Sequence, residues 1–114
     1  MEMRRVVVTG LGSLTPIGNN VEQYWQGLIN GVSGAAPITH FDASQAKTQF
    51  ACEVKDFDAS QFFDRKEARK YDKFSQYGIV AATQAMENCG IDLEKLDKDR
   101  AGVIWASGIG GIIT

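Results

Sequence analysis

The pattern of apolar and polar positions predicts three strands. Residues 4–11 contain three consecutive valines in a short, unbroken apolar run, which is typical of a strand buried on both faces. Residues 102–107 form a second run of the same kind. Between residues 50 and 55, apolar and polar side chains alternate, as they do in a half-buried strand. Both unbroken runs lead into glycines, so we predict an α/β protein with glycine turns after its buried strands.

The same pattern predicts an amphipathic helix between two capping signals. Asn20 is a favourable N-cap, and Gln23 stands three residues later, as in a capping box. Gly31 is placed to end the helix. The apolar side chains at helical spacing are Val21, Tyr24, Trp25, Leu28 and Ile29. We therefore expect this helix to cover another layer with one face and to expose the other.

A second predicted helix covers residues 72–88 and is apolar nearly all round. Asp72 can cap its start, and Gly90 can close it. Its main stripe at helical spacing consists of Phe74, Tyr77, Gly78, Ala81, Ala82, Ala85, Met86 and Cys89. Ile79 and Val80 lie off this stripe, and no charged residue occurs between positions 74 and 86. Such a helix belongs in an interior, where its small residues would let another backbone come close. A chain of 114 residues is too short to surround it, so we expect a larger body with helices sandwiched between two sheets.

Composition narrows the functional classes. The chain has 114 residues, of which 44% are hydrophobic and 23% are charged, and we predict one globular domain over residues 1–114 without an internal boundary. The net charge of −2 argues against nucleic-acid binding. Neither a signal peptide nor a membrane span is visible, so we expect a cytoplasmic protein without a membrane partner.

Side chains that could carry out catalysis are few. The chain has two cysteines, Cys52 and Cys89, which are too few and too far apart for a disulfide framework or a metal site. We interpret both as packing residues. His40 is the single histidine, and no sequence signal links it to either cysteine. We therefore predict neither a metal site nor a catalytic residue among these 114 residues.

The glycines after the first predicted strand match part of a dinucleotide-binding fingerprint. Gly10 and Gly12 supply the first two glycines of G-x-G-x-x-G, but Thr15 stands at the third. Pro16 also lacks an N–H that could bind phosphate. We therefore favour a tight strand-to-loop turn and expect no cofactor, and a nicotinamide-dependent reductase is the weakest of the alternatives.

A basic segment offers a candidate interaction surface. Lys66, Arg69, Lys70 and Lys73 recur at i, i+3, i+4 and i+7, which would place them on one face of a helix. Two interpretations stay open: a solvated helix face, or a face that docks an acidic protein through complementary charge. Nucleic acid is disfavoured because no aromatic platform interleaves the basic residues and the chain is net acidic.

Several short motifs, in order along the chain, carry a family resemblance. They are R-R-V-V-V-T-G-L-G at 4–12, T-P-I-G at 15–18, H-F-D at 40–42, V-K-D-F at 54–57, R-K-E at 65–67, Q-Y-G at 76–78 and S-G-I-G-G at 107–111. Each motif is common by itself, but their combination resembles the start of the β-ketoacyl-acyl carrier protein synthases. The chain looks most like the elongating type II enzymes of bacterial fatty acid synthesis.

The resemblance implies a fold, an assembly and a reaction. The fold would be thiolase-like, with α/β/α/β/α layers of which this chain is the first part of the N-terminal half, in a homodimer. In the family's Claisen condensation, a cysteine thiolate takes an acyl group from acyl carrier protein, and decarboxylation of malonyl-acyl carrier protein gives the carbanion that attacks the acyl-enzyme. The family's nucleophilic cysteine and two histidines lie beyond position 114, so we expect this chain by itself to be inactive.

The resemblance also implies two binding sites within the chain. Lys66, Arg69 and Lys70 would dock acyl carrier protein, which favours the docking interpretation of the basic segment. Ile109, together with Gly108, would line the acyl-chain pocket and help decide how long a chain fits. A second hypothesis is a non-catalytic chain-length factor of the same fold, which pairs with an active synthase. A cysteine at the downstream nucleophile position would distinguish the two.

Overall fold

The computed structural model describes residues 1–112, so Ile113 and Thr114 of the predicted 1–114 domain lie outside the described residues. In chain order the elements are α1 (Val21–Ile29), β1 (Ala36–Pro37), β2 (Phe50–Ala51), α2 (Arg65–Lys70) and α3 (Lys73–Cys89), with 3₁₀ turns at Ala59–Gln61 and Lys98–Arg100. β1 and β2 pair in an antiparallel sheet. α3, with 17 residues, is the longest of these elements.

The boundaries of α1 are set by local capping. The Asn20 carboxamide accepts a hydrogen bond from the Gln23 backbone N–H at 2.9 Å. The Gln23 side chain in turn accepts from the backbone N–H of Asn19, one residue earlier than in a standard capping box. The predicted bounds are confirmed. The predicted buried face is not, because Gly27 is the buried residue of α1, and its apolar side chains Trp25, Leu28 and Ile29 are about half exposed.

α3 is confirmed as a helix, and Gly90 closes it in the left-handed conformation with φ 63°. Asp72 occupies the N-cap position, but its side chain makes no capping hydrogen bond to the helix. The two buried residues of α3 are Val80 and Gln76, and both lie off the predicted stripe. The stripe itself is half-buried, so α3 is covered on several sides without being enclosed.

The segment at residues 4–13 lies against α3 through two glycines. A Cβ at Gly10 would overlap the carbonyl oxygen of Ala85, and a Cβ at Gly12 would overlap that of Ala81. The small side chains of α3 therefore do admit a neighbouring backbone, as the sequence predicts. Two α3 amides fix the register: the Leu11 N–H donates to Asn88 Oδ1 and the Ser13 N–H donates to Gln84 Oε1, each at 3.1 Å.

The two long predicted strands are not formed. Residues 4–11 and 102–107 belong to no helix or β-ladder within residues 1–112, and the predicted strand at 50–55 is reduced to β2. A strand exists only where a second backbone lies alongside to receive its hydrogen bonds, and apolar composition cannot supply that neighbour. Trp105 nevertheless packs its indole beside Gly78, so both segments contact the same face of α3.

The described chain is more open than a compact monomer of its length. Its Cα radius of gyration is 17.5 Å, against about 13 Å for a compact domain of this size. Its accessible surface is 9785 Å², against about 6,200 Å² for a folded monomer of this mass. Among the most exposed apolar side chains are Val6, Val8, Val103 and Ile104 of the segments 4–11 and 102–107, which are side chains that a strand buried on both faces would cover.

Loops that connect these elements are tied together by one ammonium group. Lys55 Nζ donates to the carbonyl oxygens of Gly34 at 2.7 Å, Glu53 at 3.1 Å and Pro16 at 3.2 Å. The Asn19 side chain returns a hydrogen bond to the Lys55 carbonyl at 2.8 Å. Lys55 therefore joins the loop before α1 to the chain that leads into and out of the small sheet.

Candidate functional site

The basic segment forms a short helix whose ends suit its charges. Asp64 caps α2, because its carboxylate accepts from the Glu67 backbone N–H at 2.7 Å. Glu67 lies in the first turn, and Arg69 and Lys70 lie in the last, an arrangement that the helix macrodipole favours. None of the six residues of α2 is buried. The helix therefore presents its charges to solvent.

Four cations of α2 share one surface depression of about 490 Å³, lined by Arg65, Lys66, Arg69 and Lys70. The ion pairs within residues 1–112 involve other residues, so these four cations have no acidic partner in the described chain. The structure thus brings the predicted docking residues Lys66, Arg69 and Lys70 together. Sequence reasoning missed Arg65, although its i, i+4 spacing to Arg69 places it near the same face.

Lys73 does not belong to this basic face, and its predicted place there is wrong. α2 ends at Lys70, Tyr71 is extended with φ −108° and ψ 129°, and Lys73 begins α3. The Lys73 ammonium instead lies 5.6 Å from the centroid of the Phe57 ring. The chain turns at Tyr71 and Asp72, so a helical spacing that runs across this corner no longer describes one surface.

The corner between α2 and α3 is held by Gln76. Its Nε2 donates to the Ala68 carbonyl at 2.9 Å and to the Tyr71 carbonyl at 3.1 Å. Gln76 is only 5% exposed. The Tyr71 ring at this corner also packs 5.9 Å from that of Phe63, which is buried. Sequence reasoning named Gln76 only within the Q-Y-G motif and missed this contact, which its polar side chain in the largely apolar α3 pattern could have indicated.

The predicted acyl-pocket residues lie on an exposed turn. Ile109 is 81% exposed, and no heavy atom lies within 4 Å of where a Cβ of Gly108 would stand. The turn is closed by a hydrogen bond from the Gly110 N–H to Ser107 Oγ at 2.9 Å, and Gly110 has φ 79°. A cleft of about 720 Å³ separates this turn from the corner and is lined in part by Tyr71, Phe74, Gly110 and Ile112. Ile109 itself lies outside the lining of this cleft.

His40 pairs with a carboxylate rather than with a cysteine. Its Nδ1 lies 3.8 Å from Glu53 Oε1. Glu53 also accepts hydrogen bonds from the Thr39 hydroxyl and from the backbone N–H groups of Thr39 and His40. The Thr39 hydroxyl is the main reason that the pKa of Glu53 lies below its ordinary value, while burial opposes the shift. Burial, and secondarily the charge of Glu53, raise the pKa of Tyr77.

The two cysteines occupy different environments. Cys89 lies on α3, where its Sγ is 3.1 Å from the Met86 carbonyl oxygen, in agreement with a packing role. Cys52 is exposed, so its predicted packing role is wrong, because it follows the two-residue strand β2 rather than lying inside a longer one. Within residues 1–112, no cluster of three His, Cys, Asp or Glu side chains has the arrangement of a metal site. In the same range, no helix has the length and apolar character needed to cross a membrane.

The turn at residues 15–18, before α1, is closed by its own backbone hydrogen bonds. The Thr15 N–H donates to the Gly18 carbonyl at 2.8 Å and the Gly18 N–H donates to the Thr15 carbonyl at 3.2 Å. Gly10 and Gly12 serve the close contact with α3, and neither has a positive φ. The structure thus gives each of these glycines a packing or turn role.

Comparison with known proteins gives consistent results. Residues 3–113 match the family model described as Beta-ketoacyl synthase, N-terminal domain. The chain is 50% identical over 112 residues to 3-oxoacyl-(acyl-carrier-protein) synthase 2 of Synechocystis sp., and 49% identical to the Vibrio harveyi protein of that name. In both cases the alignment covers 98% of this chain and 27% of the relative, so the chain spans about a quarter of the relatives' length.

Two solved structures are similar in fold. The ishigamide ketosynthase/chain length factor superposes with a TM-score of 0.73 and 39% identity, over 82% of this chain and 23% of that one. A ketosynthase bound to its type II polyketide acyl-carrier protein (AntDE:AntF) gives 0.55 and 29% identity, over 80% of this chain and 23% of that one. The sequence match, the fold and the motif order agree, and the chain belongs to the β-ketoacyl synthase family through its N-terminal domain.

Proposed function

We propose that the protein carrying this sequence elongates fatty acyl chains by decarboxylative Claisen condensation. The supporting observation is the 50% identity, over nearly the whole chain, to a 3-oxoacyl-(acyl-carrier-protein) synthase 2. The reaction would join the carbanion released from malonyl-acyl carrier protein to the carbonyl carbon of the acyl-enzyme. Carbon dioxide leaves in the first step, and the cysteine thiolate leaves in the second.

The residues of this chain would serve binding rather than bond chemistry. Neither Cys52 nor Cys89 matches the family's nucleophile position, so the thiolate and the two histidines would come from the part of the fold beyond position 114. The proposal includes the five-layered thiolase-like architecture, a homodimer and a cytoplasmic location. The open apolar surface of residues 4–11 and 102–107 supports the layered architecture, because such strands are covered on both faces.

Carrier docking is the role we propose for α2. Lys66, Arg69 and Lys70 lie together, exposed and without acidic partners in the described chain. Acyl carrier protein is acidic, so complementary charge would orient and accelerate its approach. A related ketosynthase has been solved in complex with its acyl-carrier protein, which supports a carrier as the partner.

A condensation assay tests the proposed reaction. We expect the natural full-length protein to release carbon dioxide from malonyl-acyl carrier protein and to lengthen an acyl primer by two carbons, as the product mass would show. One observation supports the chain-length-factor alternative: this chain shares its fold with the ishigamide ketosynthase/chain length factor. A protein of that kind would show no condensation alone but would alter product length when mixed with an active synthase.

The substitution Ile109→Phe is expected to shorten the acyl chains that the full-length enzyme accepts. The family resemblance gives Ile109 its place in the acyl-chain pocket, and its neighbour Gly110 lines the cleft beside the α2–α3 corner. A phenyl ring at position 109 would then fill space that a long chain needs. We expect kcat/KM for the longest accepted primers to fall about 10- to 200-fold relative to short primers.

Ile91→Phe is the matched control for that experiment. Ile91 is 41% exposed and follows α3, away from the glycine turn. The substitution Ile91→Phe should leave the profile of accepted primer lengths unchanged. An unchanged profile in Ile109→Phe as well would show that Ile109 does not face the acyl chain.

A further inference from the structure

The basic helix α2 cannot maintain its orientation alone. It has six residues, none of them buried, and isolated helices shorter than about 12–15 residues are marginal in water. Its start is capped by Asp64. The carbonyl groups of its last turn lack the backbone N–H donors that a longer helix would supply. Whatever satisfies those carbonyls also fixes the direction of the helix.

Gln76 supplies the donors that the end of α2 lacks. Both hydrogen bonds of its Nε2 run from α3 to α2, to Ala68 inside the helix and to Tyr71 just after it. Such an orientation is unambiguous, because a carbonyl oxygen only accepts and so must face the NH₂ end of the amide. Gln76 is only 5% exposed, so loss of these bonds would leave its amide poorly solvated.

From this geometry we infer that Gln76 is a positioning residue for carrier docking: by clamping the carbonyls of Ala68 and Tyr71 it sets the direction in which Lys66, Arg69 and Lys70 present their charges. This inference rests on the proposed docking function of α2. Gln76 touches no carrier, and it acts only through the helix that it holds.

The chain contains a matched control for this role. Gln84 lies two turns further along α3 and also makes two side-chain hydrogen bonds to backbone groups, accepting from the Ser13 N–H at 3.1 Å and donating to the Asn19 carbonyl at 2.8 Å. Its partners lie in the loop before α1 rather than in α2. Gln76→Met and Gln84→Met therefore each remove one carboxamide and its two hydrogen bonds from the same helix, at sites that differ in whether they reach the basic face.

Binding of fluorescently labelled apo acyl carrier protein to the natural full-length protein provides the test. We expect Gln76→Met to raise the Kd about threefold to tenfold at low ionic strength and to flatten its dependence on salt, since fewer charges then engage together. Gln84→Met should leave both the Kd and the salt dependence unchanged. Gln76→Asn, which keeps the amide but is one methylene too short to span both carbonyls, should give an intermediate Kd and serves if the methionine variant does not fold.

A double-mutant cycle separates positioning from a general loss of stability. In the Gln76→Met background, Arg69→Ala should cost less binding than it does in the wild type, because the Arg69 side chain is no longer held toward the carrier. Equal changes in Kd and salt slope for the two methionine variants, or full additivity with Arg69→Ala, would overturn the inference. Failure of the wild-type protein to bind the carrier would instead overturn the docking proposal itself.

Discussion

The substitution Gly12→Ala is expected to lower the free energy of unfolding by about 1–3 kcal/mol, the usual cost of forcing an extra group into a packed contact. A Cβ on Gly12 would overlap the Ala81 carbonyl oxygen and lie 2.8 Å from the Ala85 backbone nitrogen. These atoms belong to the hydrogen-bonded backbone of α3 and cannot move aside as a flexible side chain would. Thermal unfolding of the full-length protein, followed by circular dichroism, measures the change.

Gly102→Ala is the control for this experiment. No heavy atom lies within 4 Å of where its Cβ would stand, and its φ lies outside the left-handed region. Its effect should be smaller than that of Gly12→Ala, because its Cβ enters space that is empty in the described chain. If the two alanine variants unfold at the same temperature, the contact between residues 4–13 and α3 is not what limits stability.

The largest effect on binding is expected when the basic face is removed. Combined Lys66→Ala, Arg69→Ala and Lys70→Ala substitutions should raise the Kd for acyl carrier protein about 10- to 100-fold at low ionic strength, given up to about 1 kcal/mol for each exposed charge contact. The difference from wild type should shrink as salt is added, because screening weakens exposed charges in both proteins. Fluorescence anisotropy across a salt series measures both quantities.

A second triple variant controls for net charge. Lys95→Ala, Lys98→Ala and Arg100→Ala remove three positive charges from the exposed connection after α3 and leave α2 untouched. We expect this variant to change the Kd less than twofold, because long-range attraction alone contributes little to a docked complex. A loss of binding as large as that of the α2 variant would mean that overall charge, rather than a docking face, controls carrier binding.

The two proposals about α2 make different demands on the helix. Docking requires only that the three cations are exposed and unpaired, which holds within the described chain. Positioning requires in addition that the direction of α2 matters, and this depends on two hydrogen bonds from one buried amide. Substitution of Gln76, with Gln84 as its control, therefore probes the geometry of the face without altering its charge.

The helices and the family could be predicted from the sequence because the signals for both are local. The bounds of α1 and the end of α3 follow from Asn20, Gln23 and Gly90, because helical hydrogen bonds and caps join residues only a few positions apart. The small residues of α3 correctly indicated a close backbone neighbour, and the motif order correctly indicated the synthase family. The three predicted docking residues also lie together as expected, since α2 is itself a local structure.

Only the tertiary structure decided the features that depend on distant parts of the chain. The valines of residues 4–11 form no ladder within residues 1–112, because a strand needs a second backbone that its own sequence cannot specify. Helical periodicity placed Lys73 on the basic face, but the corner at Tyr71 carries it to another surface. The clamp from Gln76 to Ala68 spans eight residues and a change of direction, so no spacing rule along one helix predicts it.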